Sequence, residues 1–179
     1  MPGLEYYCAF VKPGFDRIFR ERAQERMAEC DPACRFYSFS RQLWIGKAVK
    51  RRTQEDLFFP GYVFFGVERM TAGFFERLRG TEGFMRVLQS NTNITRIENG
   101  DLVTLQHFLQ FGERHPMSRV EYDENDRIRI LSGDMANFEG RIKKIDRRRQ
   151  RATVQLDGSS FFYSFDLCYT VVEKTSGRA

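Results

Sequence analysis

The residues of this chain best able to do chemistry are aromatic and basic. The run Leu57-Phe58-Phe59-Pro60-Gly61-Tyr62-Val63-Phe64-Phe65 places seven large apolar side chains in nine positions, and its middle two residues forbid a regular helix. Pro60 fixes its own φ and pushes Phe59 toward an extended conformation, while Gly61 lets the backbone turn before a strand-like Tyr62 to Val67 begins. Aromatic side chains therefore flank a rigid corner. Such a corner is either the edge of a core or an anchor for a partner's apolar surface, where aromatic anchors concentrate; residue types alone favour the core. Basic residues form two clusters. Between Arg141 and Arg151 lie Arg141, Lys143, Lys144, Arg147, Arg148, Arg149 and Arg151 against one acid, Asp146, and a second group, Lys47, Lys50, Arg51 and Arg52, precedes the corner. Positive charge concentrated in this way suits a phosphate backbone, where each contact releases counterions. A solvated hairpin face is the alternative for either cluster alone; two clusters in one small protein favour a nucleic acid nearby.

The groups that would carry catalysis are poorly placed for it. Cys8, Cys30, Cys34 and Cys168 form no C-x-x-C pair, and the closest two are four apart with no histidine near them. Reduced, partly buried thiols are expected in place of a zinc site. Around His107 and His115 there is no Asp, Ser or Cys arrangement of the kind nucleophilic or general-base catalysis needs, and no glycine-rich phosphate loop is present. The expectation is a protein without catalytic residues, metal or cofactor. Its 179 residues, 41% hydrophobic and 30% charged with a net charge of +5, suffice for one medium domain or one medium and one small domain. No window approaches the roughly 20 apolar residues that span a bilayer. The N-terminus also lacks a secretory pattern, so a cytoplasmic protein is expected.

The elements that must position these residues follow from periodicity. Glu5 to Val11 reads as a strand closed by the turn Lys12-Pro13-Gly14. Phe15, Ile18, Phe19, Ala23, Met27 and Cys30 then recur at steps of three and four, one apolar face of a helix that ends at Asp31-Pro32. Arg35 to Phe39 alternates as a strand, a polar and basic segment leads to the corner, and Gly61 to Val67 forms the next strand. Thr71 suits the N-cap and Gly80 the C-terminal stop of a short helix carrying Phe74, Phe75 and Leu78. Phe84 to Leu88 reads as a strand and Asp101 to Phe111 as a last helix. This is an α+β pattern with helices covering one sheet, over residues 1–112. Residues 113–125, acidic and poor in buryable side chains, read as a flexible linker. Over 126–174 the pattern is purely β: Arg127–Leu131, Arg141–Ile145, Thr153–Leu156, Phe161–Phe165 and Tyr169–Val172 predict a small five-stranded barrel.

Tyr6-Tyr7, Lys12-Pro13-Gly14-Phe15 and Leu57-Phe58-Phe59-Pro60-Gly61-Tyr62-Val63 resemble the N-terminal (NGN) domain of the NusG family of transcription elongation factors. Ile128-Arg129-Ile130, Gly133, Phe138-Glu139-Gly140 and Arg141-Ile142-Lys143-Lys144-Ile145-Asp146 resemble the KOW motif of that family's SH3-like C-terminal barrel, with Gly133, Gly140, Lys143 and Lys144 as its marker positions. The resemblance covers nearly the whole chain in order. It implies an accessory factor of bacterial RNA polymerase that docks an aromatic depression on the clamp helices of the largest subunit and suppresses pausing and termination. Tyr6, Tyr7, Phe59 and Tyr62 match the family's polymerase-contact positions. The basic run after Ile145 resembles the LoaP group of specialised antiterminators, which act at selected operons and can be recruited by an RNA or DNA signal. For that signal Lys12, Arg17, Lys47, Lys50, Arg51 and Arg52 are the candidates. Where housekeeping members carry an aromatic beside the glycine of the fourth-strand turn, Asp157 stands next to Gly158, which argues against a ribosomal contact. The chain is expected to act as a monomer away from membranes. A general elongation factor and a ribosome-associated KOW RNA-binding protein are the competing readings.

Overall fold

The computed structural model describes residues 3–46, 50–88, 91–92, 94–122, 127–133, 136–156, 162 and 164–172. In chain order the elements are β1 (Glu5–Val11), α1 (Asp16–Ala28), β2 (Arg35–Tyr37), β3 (Ser40–Ile45), β4 (Arg52–Leu57), β5 (Tyr62–Val67), α2 (Ala72–Arg79), β6 (Phe84–Val87) and α3 (Asn99–Phe111). Then follow β7 (Arg114–His115), β8 (Ser118–Tyr122), β9 (Ile128–Ser132), a 3-10 helix (Ala136–Arg141), β10 (Ile142–Asp146), β11 (Arg151–Gln155) and β12 (Ser164–Val171). The fold is α+β. It divides into two compact units, one made of Met1–Ser38 and Phe59–Val103, the other of Phe39–Phe58 and Thr104–Ala179.

In the first unit the strands lie in the order β2-β5-β1-β6, all antiparallel. Alternation along β1 and β5 sends Tyr7, Ala9, Val11, Val63, Phe65 and Val67 to one face, where they pack with Phe19, Ala23 and Met27 of α1 and Phe74 and Leu78 of α2. Phe65 is the centre of this layer. It stacks on Tyr7 at 5.6 Å, on Phe36 at 5.1 Å and on Phe74 at 6.1 Å. The helix α1 buries Phe19, Ala23 and Met27 as its period requires, but Ile18 is 40% exposed and Cys30 lies beyond its end. Thr71 caps α2 by accepting the Phe74 amide at 3.1 Å, and the Gly80 amide closes the far end on the Glu76 and Leu78 carbonyls.

The second unit corrects the sequence reading in three places. The polar, basic stretch before the corner is a hairpin: β3 pairs antiparallel with β4 from Ser40 opposite Leu57 to Ile45 opposite Arg52, and β7 adds on in parallel. No apolar alternation marks β4, whose six residues are almost wholly exposed, so its partner strand and not its own pattern makes it a strand. Part of the expected linker is folded as well. Within it β8 pairs in parallel with β12 and antiparallel with β9, burying Ser118 and Val120, and its Tyr122 hydroxyl meets that of Tyr169 at 2.8 Å. Finally, the last two strands expected are one continuous strand, β12, so the five-stranded order is β10-β11-β12-β8-β9. The count of five holds with different members.

Why the hairpin and the part of α3 from Thr104 onward belong with the C-terminal strands is a matter of aromatic packing. Phe108 of α3 meets Phe39 at 5.2 Å, Phe58 at 5.1 Å, His115 at 5.0 Å, Phe165 at 5.6 Å and Phe162 at 6.0 Å. The Arg41 guanidinium lies over the Phe58 ring at 5.1 Å and donates to the Asp166 carbonyl, tying β3 to β12; burial lowers its pKa. Phe108 is fully buried. Replacing it with alanine is expected to destabilise the protein by about 3–5 kcal/mol in denaturant unfolding, because the rings around it would then face a void.

Candidate functional site

The corner between β4 and β5 is built from three directions. Gly61 has φ +85°, a region L-residues avoid, and a Cβ there would come within 3.2 Å of the Phe10 ring. Its carbonyl accepts the Val11 amide at 2.8 Å, and its own amide donates to the Asp16 carboxylate at 2.5 Å. The Tyr62 amide turns back to the Phe59 carbonyl at 3.1 Å. Asp16, the first residue of α1, is only 5% exposed. It was not legible as a corner residue, since an acid in a first helical turn already has a local reason in the helix dipole.

Strand alternation then sorts the aromatic candidates. Opposite the helix-covered layer, the register sets Tyr6 against Gly66, Cys8 against Phe64 and Phe10 against Tyr62. The Phe10 and Tyr62 rings are 5.2 Å apart, Phe59 meets Phe64 edge-on at 5.7 Å, and the Arg86 guanidinium lies 5.3 Å over Phe10. Tyr6, Phe10, Phe59 and Tyr62 are all half-buried on this side. Tyr7 departs from the sequence expectation. Being one residue out of phase, it points under the helices, 6% exposed, with its hydroxyl donating to Glu5 at 3.0 Å. Sequence reasoning missed Phe10 and Arg86, although the period-2 pattern from Tyr6 placed Phe10 on the same side.

The basic candidates fall into both units. Lys12 and Arg17 are exposed in the first, with the Lys12 ammonium 5.1 Å over the Phe15 ring. In the second, Lys50 and Arg52 are exposed and Arg51 is half-buried, while Lys47 lies outside the described residues. Arg51 joins the two clusters that the sequence separates by about a hundred residues. It donates to the Gln150 side chain at 2.7 Å and to the Arg148 carbonyl, and its guanidinium lies 5.9 Å over the Trp44 ring. The turn it grips, between β10 and β11, exposes Arg147, Arg148 and Arg149, with Arg147 4.8 Å over the Tyr122 ring and Asp146 bound to the Arg149 amide. Lys50, Arg51, Arg52 and the turn arginines thus form one composite basic surface, of which only the two halves were visible in the sequence.

Of the KOW positions, Lys143 and Lys144 are exposed on β10 beside a register shift, and Gly140 lies in the 3-10 helix leading into it. Gly133 has φ +119°, and a Cβ there would come within 2.7 Å of the Ser118 hydroxyl, so the motif glycine is required where β9 leaves β8. Asp157 and Gly158 lie outside the described residues. Among the described residues no cluster of three His, Cys, Asp or Glu side chains could hold a metal ion, and no helix is long and apolar enough to cross a membrane. Burial pushes Cys34 up to about 12, raises Cys8 well above the ordinary thiol range and raises Cys168. These three thiols are packing residues in the neutral form.

A family model described as the KOW motif matches residues 124–156. A solved structure titled "Domain interaction in Thermotoga maritima NusG" superposes with a TM-score of 0.54 over 92% of both chains at 17% identity, which establishes the fold. The architecture is that of a two-part α+β protein with a C-terminal KOW half-barrel. Among curated relatives, the "Transcription termination/antitermination protein NusG" of Pasteurella multocida is 26% identical over 72% of this chain and 70% of its own length. Its namesakes from Helicobacter pylori, 22% identical over 73% of each chain, and Haemophilus influenzae, 26% identical over 71% of this chain and 69% of that protein, match similarly. In sequence the chain is thus similar to proteins named for transcription termination and antitermination, and it carries a KOW motif within its C-terminal strands.

The burial of Tyr7 has a measurable consequence. Desolvation first, then its hydrogen bond to Glu5, raises its phenol from 10.0 to about 12. Because the folded pKa is the higher, its contribution to stability is intact below the unfolded value and is lost as pH rises from there through about 12. Unfolding titrations of Tyr7→Phe are expected to lack this component of the alkaline destabilisation seen in the unaltered protein.

Proposed function

We propose that this protein is a transcription elongation and antitermination factor that docks on the clamp helices of the largest subunit of bacterial RNA polymerase and suppresses pausing and termination. The observation that carries this reading is the aromatic group of Tyr6, Phe10, Phe59 and Tyr62, set about a rigid corner on the face of the sheet opposite α1 and α2, each ring half-buried beside the fully buried Cys8 and Phe64. A rigid aromatic patch offers large contact area at little cost in conformational entropy, the property that makes such residues interface hot spots. Tyr7 acts here as a support stacked on Phe65 from the opposite side. The curated relatives are named for termination and antitermination, in keeping with this role. Action is in the cytoplasm, where the polymerase works.

The composite basic surface supports a specialised form of the same activity, directed to selected operons by a nucleic-acid signal. Lys50, Arg52, Arg148 and Arg149 are the phosphate contacts, and Arg51 braces the hairpin against the β10–β11 turn. Lys12 and Arg17 provide a second, smaller basic site on the other unit. Lys143 and Lys144 extend the surface along β10.

Tyr62→Ala is expected to weaken polymerase binding by about 2 kcal/mol or more and to abolish the read-through that the unaltered protein produces at an intrinsic terminator. Unchanged affinity in a folded variant would overturn the docking assignment. For the basic surface, replacing Arg148 and Arg149 with glutamine is expected to lower the slope of log affinity against log salt by about one for each phosphate no longer neutralised. Salt titrations of nucleic-acid binding by fluorescence anisotropy read this directly.

A further inference from the structure

We infer that Asp16 is a positioning residue for the docking corner: its buried carboxylate holds the Gly61 peptide so that Phe59 and Tyr62 present their rings in a single arrangement. This inference rests on the docking role proposed above and extends it to a residue that touches no partner. Asp16 is 5% exposed, and its carboxylate reaches 45 residues along the chain to accept the Gly61 amide at 2.5 Å.

The other side of that peptide is fixed as well. Its carbonyl accepts the Val11 amide at 2.8 Å, so Gly61 is clamped between the start of α1 and the end of β1. Gly61 is also the residue with most to lose from being released. It sits at φ +85° with no side chain to anchor it, and glycine has the widest choice of alternative backbone conformations. Phe59 lies two residues before it and Tyr62 immediately after it, joined by the Tyr62 amide to the Phe59 carbonyl. A rotation of the Gly61 peptide therefore re-aims both rings together, breaking the Phe10–Tyr62 pairing at 5.2 Å and the Phe59–Phe64 pairing at 5.7 Å. A carboxylate suits the task because a charged acceptor binds an amide more strongly than a neutral one. It also lies in the first turn of α1, where the helix dipole favours negative charge. The side chain thus locks α1, β1 and the corner at one point, and the aromatic face is preorganised before any partner arrives.

The test compares Asp16→Ala, Asp16→Asn and Met27→Ala with the unaltered full-length chain. Met27 is fully buried at the far end of the same helix and has no bond to the corner, so its variant controls for general loss of stability. Two quantities are read: affinity for purified RNA polymerase, and hydrogen exchange of the Gly61 amide relative to that of Val11. Asp16→Ala is expected to weaken polymerase binding about tenfold or more and to remove Gly61 protection selectively. Asp16→Asn, which keeps an acceptor oxygen, should hold affinity within about threefold of the original, while Met27→Ala leaves affinity unchanged at temperatures where it is folded. Equal losses in Asp16→Ala and Met27→Ala would overturn the inference, as would an Asp16→Ala variant that keeps either Gly61 protection or full affinity. Should the unaltered protein fail to bind polymerase, the docking proposal falls, while the exchange measurement still decides whether Asp16 holds the corner.

Discussion

The antiparallel pairing of β1 with β5 is the constraint on which the first unit depends. A single register sets Tyr7 against Phe65 on one face and Phe10 against Tyr62 on the other. Slipping β1 by one residue would exchange its two faces, putting Tyr6 and Phe10 beneath α1 and α2 and taking Tyr7, Ala9 and Val11 out of that layer. Because Phe65 stacks on Tyr7, Phe36 and Phe74 together, the helix-covered face has a strong preference for the observed register. The placement of Tyr6, Phe10 and Tyr62 together on the other face is its geometric by-product, held in place by the packing of the opposite side.

The second unit uses the same material in another way. Its aromatic residues come from sequence-distant segments and meet around Phe108, with no single strand pairing that could organise them alone. One result is that the hairpin of β3 and β4 is fastened to the β10–β11 turn, through Arg51, at the place where both are most basic. Repulsion between like charges is a cost of this arrangement. The carbonyl of Arg148, the Gln150 amide oxygen and the acid Asp146 offset it by giving the cations and the turn amides something to bond. A surface held in this way is positive by construction.

Much of this protein was legible in its sequence, and the reason is local. The helical period of α1, the cap and stop of α2, the alternation in β1 and β5 and the left-handed glycine of the corner each depend on residues within a few positions of one another. The KOW motif is legible for the same reason, since its glycines and basic residues occupy one short stretch. What the sequence by itself determined was therefore the α+β class, the aromatic corner and the presence of two basic clusters. Only the tertiary structure decided where their side chains point and which segments meet. It made β4 a strand through its pairing with β3, made part of the apparent linker into β8, and turned Tyr7 inward. It also joined Arg51 to a turn about a hundred residues away and brought Asp16 to Gly61. Each of those outcomes depends on a partner distant in sequence, and a residue's own type carries no information about which distant group will satisfy it.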